Sequence, residues 1–160
     1  VEPFVLKLRE VGAIVDFADG AMRVRANARP MATDVMTMPH PGFPTDLQQP
    51  FAAMLAIAEG TSVVTENVNE LIRMGADIKQ DGRTAVINGV QKLLGAQTVA
   101  SDLRAGAALV CAALVAEGQS EISGIEHIGR GYENMVEKLK GIGAQVCAMP
   151  HEQEQETVCV

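Results

Sequence analysis

Three times along the chain an apolar segment of helical period runs into a Gly-Ala pair: Leu8-Arg9-Glu10-Val11-Gly12-Ala13, Leu71-Ile72-Arg73-Met74-Gly75-Ala76 and Leu139-Lys140-Gly141-Ile142-Gly143-Ala144. Such a recurrence restricts the fold to an array of supersecondary units that stack to bury their apolar faces. A second element recurs in the same order. Thr45-Asp46-Leu47 opens an apolar segment ending at Ala58-Glu59-Gly60, and Ser101-Asp102-Leu103 opens one ending at Ala116-Glu117-Gly118. From that last glycine to the next Gly-Ala pair is 15 residues in one copy (Gly60 to Gly75) and 25 in the other (Gly118 to Gly143). The first copy therefore lacks about ten residues by the measure of the second. The longer copy fills the stretch with Glu126-His127-Ile128-Gly129-Arg130-Gly131-Tyr132-Glu133, a dense group of polar residues and glycines.

Periodicity predicts a helix over Phe4 to Val11, stopped by Gly12, and another carrying Tyr132, Met135, Val136, Leu139 and Ile142 on one core-facing stripe, stopped by Gly143. Alternating runs on either side of Asp19-Gly20 and Asp81-Gly82 predict two hairpins. Asp-Gly suits a type I′ turn, which needs positive φ at both central positions. Further strands are expected at Ser62 to Glu66, Gln97 to Ala100 and Ser120 to Ile125. The unit is thus mixed α/β, with two helices and about four strands, and three units can close around shared apolar helices. The division expected is about 1–38, 39–94 and 95–149, followed by a solvated tail over 150–160 that contains Glu152-Gln153-Glu154-Gln155-Glu156.

With 48% hydrophobic and 21% charged residues in 160, the composition is that of one globular domain able to bury a real core. No apolar run reaches the roughly 18 residues of a membrane span, and the first residues carry no signal-like pattern, so a cytoplasmic protein is the default expectation. Entry at Val1-Glu2-Pro3, in mid-pattern, reads as a fragment. The net charge of −7 argues against nucleic acid or an anionic membrane as partner, since phosphate backbones demand clustered Lys and Arg. Cys111, Cys147 and Cys159 form no C-x-x-C, and His40, His127 and His151 are scattered. No metal site is expected, and the cysteines read as reduced thiols of core or tail.

Chemistry is expected at the helix starts and in the longer copy. Pro39-His40-Pro41-Gly42-Phe43-Pro44 fixes the backbone that delivers Asp46 to a helix start. A carboxylate so placed is either a positioned acid or base or a cap for the first turn, and the same alternatives hold for Asp102. Arg104 and Arg130, the latter between Gly129 and Gly131, are anion-binding candidates with a guanidinium fork for carboxylate or phosphate; a solvated surface arginine is the alternative for each. No dinucleotide fingerprint, P-loop or nucleophile elbow is present.

At these residues the chain resembles a known family. Pro41-Gly42-Phe43-Pro44-Thr45-Asp46-Leu47-Gln48, Ser101-Asp102-Leu103-Arg104-Ala105-Gly106-Ala107 and His127-Ile128-Gly129-Arg130-Gly131-Tyr132-Glu133 are similar, in that order, to signatures of the UDP-N-acetylglucosamine 1-carboxyvinyltransferases. The likeness runs from about Phe4 to Val146. The sister enzymes acting on shikimate 3-phosphate share the fold but not these motifs. The resemblance implies an inside-out α/β barrel domain, helices inside, built from βαβαββ-like repeats, of which this chain is most of the second of two. It further implies transfer of enolpyruvyl from phosphoenolpyruvate to the 3′-hydroxyl of UDP-N-acetylglucosamine, the first committed step of peptidoglycan synthesis. No cofactor is implied, and the absent first domain is the expected partner. By motif position Asp46 resembles the base and a sugar contact, and Asp102 a catalytic cleft residue. Arg104 and Arg130 resemble substrate contacts, Arg130 to phosphoenolpyruvate, and Val68 resembles a position whose backbone lies along the nucleotide.

Two departures accompany the likeness. The family's cysteine acid loop and its N-terminal lysine have no counterpart here. The Phe-Glu-x-Arg-Phe-Met-His-type segment that follows the position of Val68 is missing too, and Val68 runs straight into Asn69-Glu70-Leu71. The gap coincides with the deficit between internal copies. Either the residues are deleted, which also trims the helix before Gly75, or a mobile segment is left out and Val68 and Asn69 are not bonded neighbours. Two functions follow as expectations: part of a transferase that is inactive as this chain alone, or a non-catalytic nucleotide-sugar-binding or scaffold domain of the same fold.

Overall fold

The structure, a computed structural model, describes residues 2–65, 69–150 and 156–160. In chain order it contains α1 (Glu2–Glu10), β1 (Ile14–Ala18), β2 (Ala21–Arg25), α2 (Thr45–Leu55), β3 (Thr61–Thr65), a 3₁₀ helix (Asn69–Met74), β4 (Asp77–Asp81), β5 (Thr84–Asn88), β6 (Gln97–Val99), α3 (Leu103–Ala113), β7 (Glu121–Ser123), α4 (Glu126–Gly129), α5 (Met135–Gly141), β8 (Cys147–Pro150) and β9 (Glu156–Cys159). The Gly-Ala pairs are one device used three times. Gly12, Gly75 and Gly143 adopt φ of 95°, 84° and 94°, which L side chains rarely reach. Each glycine amide then donates to the carbonyl three residues back, on Arg9, Ile72 and Lys140. Each alanine amide donates to the carbonyl five residues back, on Leu8, Leu71 and Leu139. That pair of bonds is the Schellman stop, which satisfies the last orphan carbonyls of a helix.

The element before the second stop is short. Asn69–Met74 forms six residues of 3₁₀ helix where α1 has nine residues and α5 seven of α-helix. A trimmed helix is what a deletion predicts; the Val68–Asn69 junction itself lies outside the described residues.

Three sheets run β1-β2, β3-β5-β4 and β6-β7-β9-β8. Parallel pairing joins the two sides of each central helix. Residues 31–37 bridge to β3 through Val35 and Val64 across α2, and β6 pairs with β7 across α3. Among the described residues no sheet closes on itself. The first hairpin turns as expected, with Asp19 and Gly20 at φ of 52° and 75°. The second departs from expectation. Asp81 ends β4 opposite Thr84, so the turn is Gly82-Arg83 with only Gly82 at positive φ, the pattern of a II′ turn.

The tail is also corrected. Residues 156–159 form β9, between β7 and β8, and Thr157, Val158 and Cys159 are buried. Local polarity in 151–156 gives no sign of a strand whose partners lie far back in the sequence; residues 151–155 lie outside the described set.

α2 and α3 pack on each other as the central helices. α3 buries Ala105 through Val110 without a break, and α2 buries Phe51, Ala52, Ala53 and Leu55, so the helices lie inside the sheets as the resemblance implies. α5 is different. None of its residues is fully buried, and Ile142 is 81% exposed. Tyr132, Met135 and Leu139 lean on the core, but Val136 lines an open apolar groove of about 260 Å³ between α5 and the inner face of the sheet at Ala148 and Val158. The thiols depart from expectation too: Cys111 and Cys147 are exposed, and only Cys159 is buried.

Candidate functional site

The segment before α2 is held from three sides. Met38 N–H donates to Phe43 O and Gly42 N–H to Pro39 O, around a cis His40–Pro41 peptide. A Cβ on Gly42 would fall 2.4 Å from Met38 Cβ, so only glycine fits. Phe43 is buried in a cluster with Phe4 of α1 and Phe51 of α2, ring centroids 5.6 to 6.2 Å apart. Aromatic edge packing of this kind anchors the loop to both helices. Behind it, fully buried Gln48 donates through Nε2 to Thr65 O of β3.

This frame presents Asp46 on the second residue of α2. The N-cap is Pro44, with no side chain to cap the helix, and the exposed Asp46 carboxylate makes no hydrogen bond or ion pair among the described residues. Asp102 behaves otherwise. It is the N-cap of α3, and its Oδ1 accepts from the backbone amides of Arg104 (2.7 Å) and Ala105 (2.9 Å). The capping bond is made by Asp102 and not by Asp46, which faces the first turn of α2 only through its charge.

Arg130 follows α4 on the exposed 129–131 turn, without a hydrogen bond or ion pair among the described residues. Gly131 brings this turn against the start of α3: a Cβ there would stand 2.9 Å from Leu103 Cδ2. Arg130 thus precedes the glycine that packs on Leu103, the residue between Asp102 and Arg104 in sequence, and half-buried Arg104 is itself engaged by other groups. Tyr132 of this turn packs against the core. Its phenol is pushed up, first by burial and then by Cys111 of α3 and the charge of Asp46. The 129–132 turn thus packs against Leu103 at the start of α3, and the charge of Asp46 on α2 reaches Tyr132 of the same turn. Val68 lies outside the described residues.

Sequence reasoning assigned Tyr132 only to a core stripe and Cys111 only to a helix interior. Cys111 is the one exposed residue in the run from Ala105 to Ala113, yet its crowded surroundings push its thiol up. The signal available was that Tyr132 is the sole tyrosine and follows the Gly-Arg-Gly turn. Among the described residues no cluster of three or more His, Cys, Asp or Glu is arranged to hold a metal, and no helix is long and apolar enough to cross a membrane.

Central apolar helices packed against sheets, with an arginine and a free carboxylate at their starts and a second arginine on a glycine-flanked turn, define a domain of the enolpyruvyl transferase type. Residues 1–139 match the EPSP synthase (3-phosphoshikimate 1-carboxyvinyltransferase) family, and the chain belongs to it. In structure it is similar to the enolpyruvyl transferase NikO from Streptomyces tendae, with a TM-score of 0.80 and 26% identity over 90% of this chain and 35% of that one. The EPSP synthase from Acinetobacter baumannii, at 19% identity and a TM-score of 0.58, shares the fold.

Within the family, the relatives by sequence are UDP-N-acetylglucosamine 1-carboxyvinyltransferases. The enzyme 2 of Geobacillus kaustophilus is 53% identical over 154 residues, 91% of this chain and 36% of its own length. That of Caldanaerobacter subterraneus subsp. tengcongensis is 48% identical over 155 residues, 91% of this chain and 37% of its own. The chain therefore spans little more than a third of the curated relatives it matches. Of its 160 residues, 91% is about 146, against 155 aligned positions. The surplus of about nine agrees with the deficit between the internal copies.

Proposed function

We propose that this chain is the greater part of the second domain of a UDP-N-acetylglucosamine enolpyruvyl transferase, acting in the cytoplasm in peptidoglycan synthesis and dependent on a first domain for chemistry. The observation that carries the reading is Asp46. A rigid loop and a proline-capped helix start hold its carboxylate free of any capping bond, and its charge reaches Tyr132, two residues after Arg130. The sugar 3′-hydroxyl is a poor nucleophile at neutral pH. Asp46 takes its proton as the oxygen adds to C2 of phosphoenolpyruvate and C3 receives a proton from an acid outside this chain, in the first domain; loss of phosphate from C2 and of a proton from C3 then restores the double bond. General-base help of this sort contributes about 10² to 10⁴ in rate. Arg130 receives the carboxylate or phosphate of phosphoenolpyruvate through paired N–H groups. Asp102 orders the start of α3 and so holds Arg104 at the cleft, which makes it a positioning residue rather than the acid or base.

The second reading is a non-catalytic nucleotide-sugar-binding or scaffold domain, favoured by the shortened 3₁₀ segment where the family carries a further arginine. One experiment separates the two. Residues 1–160 are fused behind the preceding part of the Geobacillus kaustophilus relative, and phosphate release from phosphoenolpyruvate with UDP-N-acetylglucosamine is followed. The transferase reading expects turnover by the fusion, none by the 160-residue chain alone, and a kcat lower by about 10² or more in Asp46→Ala. A folded fusion that binds the nucleotide sugar without turnover overturns it in favour of the second.

A further inference from the structure

Cys147 on β8 and Cys159 on β9 are direct partners in the antiparallel register. Val160 and Ser120 exchange both backbone hydrogen bonds, at 2.9 and 3.1 Å. On β9 the amides of residues 158 and 160 therefore turn toward β7, and those of 157 and 159 toward β8. Cys147 and Cys159 thus form the hydrogen-bonded type of antiparallel pair, whose Cα atoms stand about 5.5 Å apart. A disulfide requires about 4.4 to 6.8 Å between Cα atoms, so a bridge can close with little movement of the backbone. As register partners the two side chains lie on the same face, and Cys147 and the Gln119 side chain both act on the Cys159 thiol, which burial first of all pushes up. Cys147 is exposed and Cys159 only 3% exposed. Both line a shallow cleft of about 460 Å³ with Gly118, Gln119 and Gln145, which gives a small reagent access to the pair.

We propose that Cys147 and Cys159 are a reversible dithiol–disulfide pair that staples β9 to β8. The oxidant is a low-molecular-weight disulfide of the glutathione type. The Cys147 thiolate attacks one of its sulfurs, forming a mixed disulfide and releasing one thiolate. The Cys159 sulfur then attacks the Cys147 sulfur, which forms the internal bond and expels the second small thiol, the Cys159 proton passing to that departing group. Two protein thiols are oxidised and one small disulfide is reduced to two thiols. The order follows from exposure, because the reagent meets Cys147 first. Side chains in a hydrogen-bonded pair stand somewhat wider than a relaxed bridge prefers, and such strained, accessible disulfides are the readily reduced ones. Cys111 sits on α3 beside Tyr132 and takes no part.

The test uses the reduced 160-residue protein under native conditions with glutathione disulfide in tenfold excess over glutathione. Expected are a mass loss of about 2 Da, a cross-linked peptide joining Cys147 to Cys159, continued alkylation of Cys111, and a melting temperature raised by about 5 °C. All of these should reverse with dithiothreitol. Cys159→Ser, checked for an unchanged circular dichroism spectrum, should stop at a mixed disulfide on Cys147. If that variant unfolds, the peptide map of the unmutated protein decides alone. A mixed disulfide that persists on Cys147 in the unmutated protein, a bridge through Cys111, or a dimer linked through Cys147 overturns the proposal.

Discussion

Asp46 and Asp102 sit in matching Thr/Ser-Asp-Leu openings of adjacent helices, but Asp102 turns its carboxylate back onto its own helix and Asp46 does not. The difference is one of register. Pro44, with φ at −68°, starts α2 at Thr45 and leaves Asp46 second in the helix. α3 begins two positions later in the equivalent triplet, at Leu103, with Asp102 as its cap in extended backbone. With Pro44 as the extended N-cap residue, the helix starts upstream of the aspartate. That start converts a capping residue into a free one.

Asp102→Ala should therefore cost about 1 kcal/mol, as for loss of an N-cap, and lower the melting temperature by about 2–4 °C. Asp46→Ala should change it by under about half a kcal/mol at moderate salt. Thermal melts of the two variants in one buffer check this; equal losses would contradict the register argument.

Arg130 has no hydrogen bond or ion pair among the described residues, so Arg130→Ala should leave the melting temperature unchanged. In the two-domain fusion it should raise KM for phosphoenolpyruvate by about 10- to 100-fold, the worth of a charge-assisted pair. A loss confined to stability would place the arginine in the fold instead.

Gly89 and Gly141 should respond in opposite directions. A Cβ on Gly89 would lie 1.7 Å from Ala58 O, backbone that cannot step aside, whereas Gly141 has nothing within 4 Å and closes α5. Gly89→Ala should destabilise by more than about 3 kcal/mol, and Gly141→Ala should stabilise by about 0.5 kcal/mol. Urea unfolding of both decides it.

Stability should fall in alkali. Burial pushes up the thiols of Cys111 and Cys159 and the phenol of Tyr132, so the folded state holds these protons more tightly than the unfolded chain does. The stabilisation is present below the unfolded thiol value of about 8.5 and is lost as pH rises beyond it. The reduced protein should melt progressively lower from pH 8 to pH 10, and Cys159→Ser should flatten the slope. A level curve would argue that the thiols titrate as free cysteine, and a rising one that the folded state holds its protons less tightly than the unfolded chain.

What the sequence made legible is what is locally encoded. The three Gly-Ala stops need only a glycine able to reach positive φ and the two bonds around it, so they could be read directly. The Asp19-Gly20 turn is local in the same sense. Gly82-Arg83 was misplaced by one residue because the register of β4 against β5, not the dipeptide, sets where the loop begins. The amphipathic stripe of α5 was visible, but a stripe names a face and not its cover, and Val136 meets a groove. β9 was missed because its partners lie back at β7 and β8, across a polar run that reads as tail. Whether Asp46 or Asp102 caps its helix turns on a start displaced by two residues, the scale at which pattern reading is least exact.

The last-made strand of each larger sheet, β5 or β9, occupies a place between two earlier ones. During synthesis β3 and β4, and later β7 and β8, leave the ribosome with a vacancy between them that no earlier segment fills. Each sheet can close only by insertion, after its youngest strand has appeared. A protease cut within 151–155 would therefore take out the middle of a sheet rather than fray its border, and β8 would lose its only neighbour among the described strands.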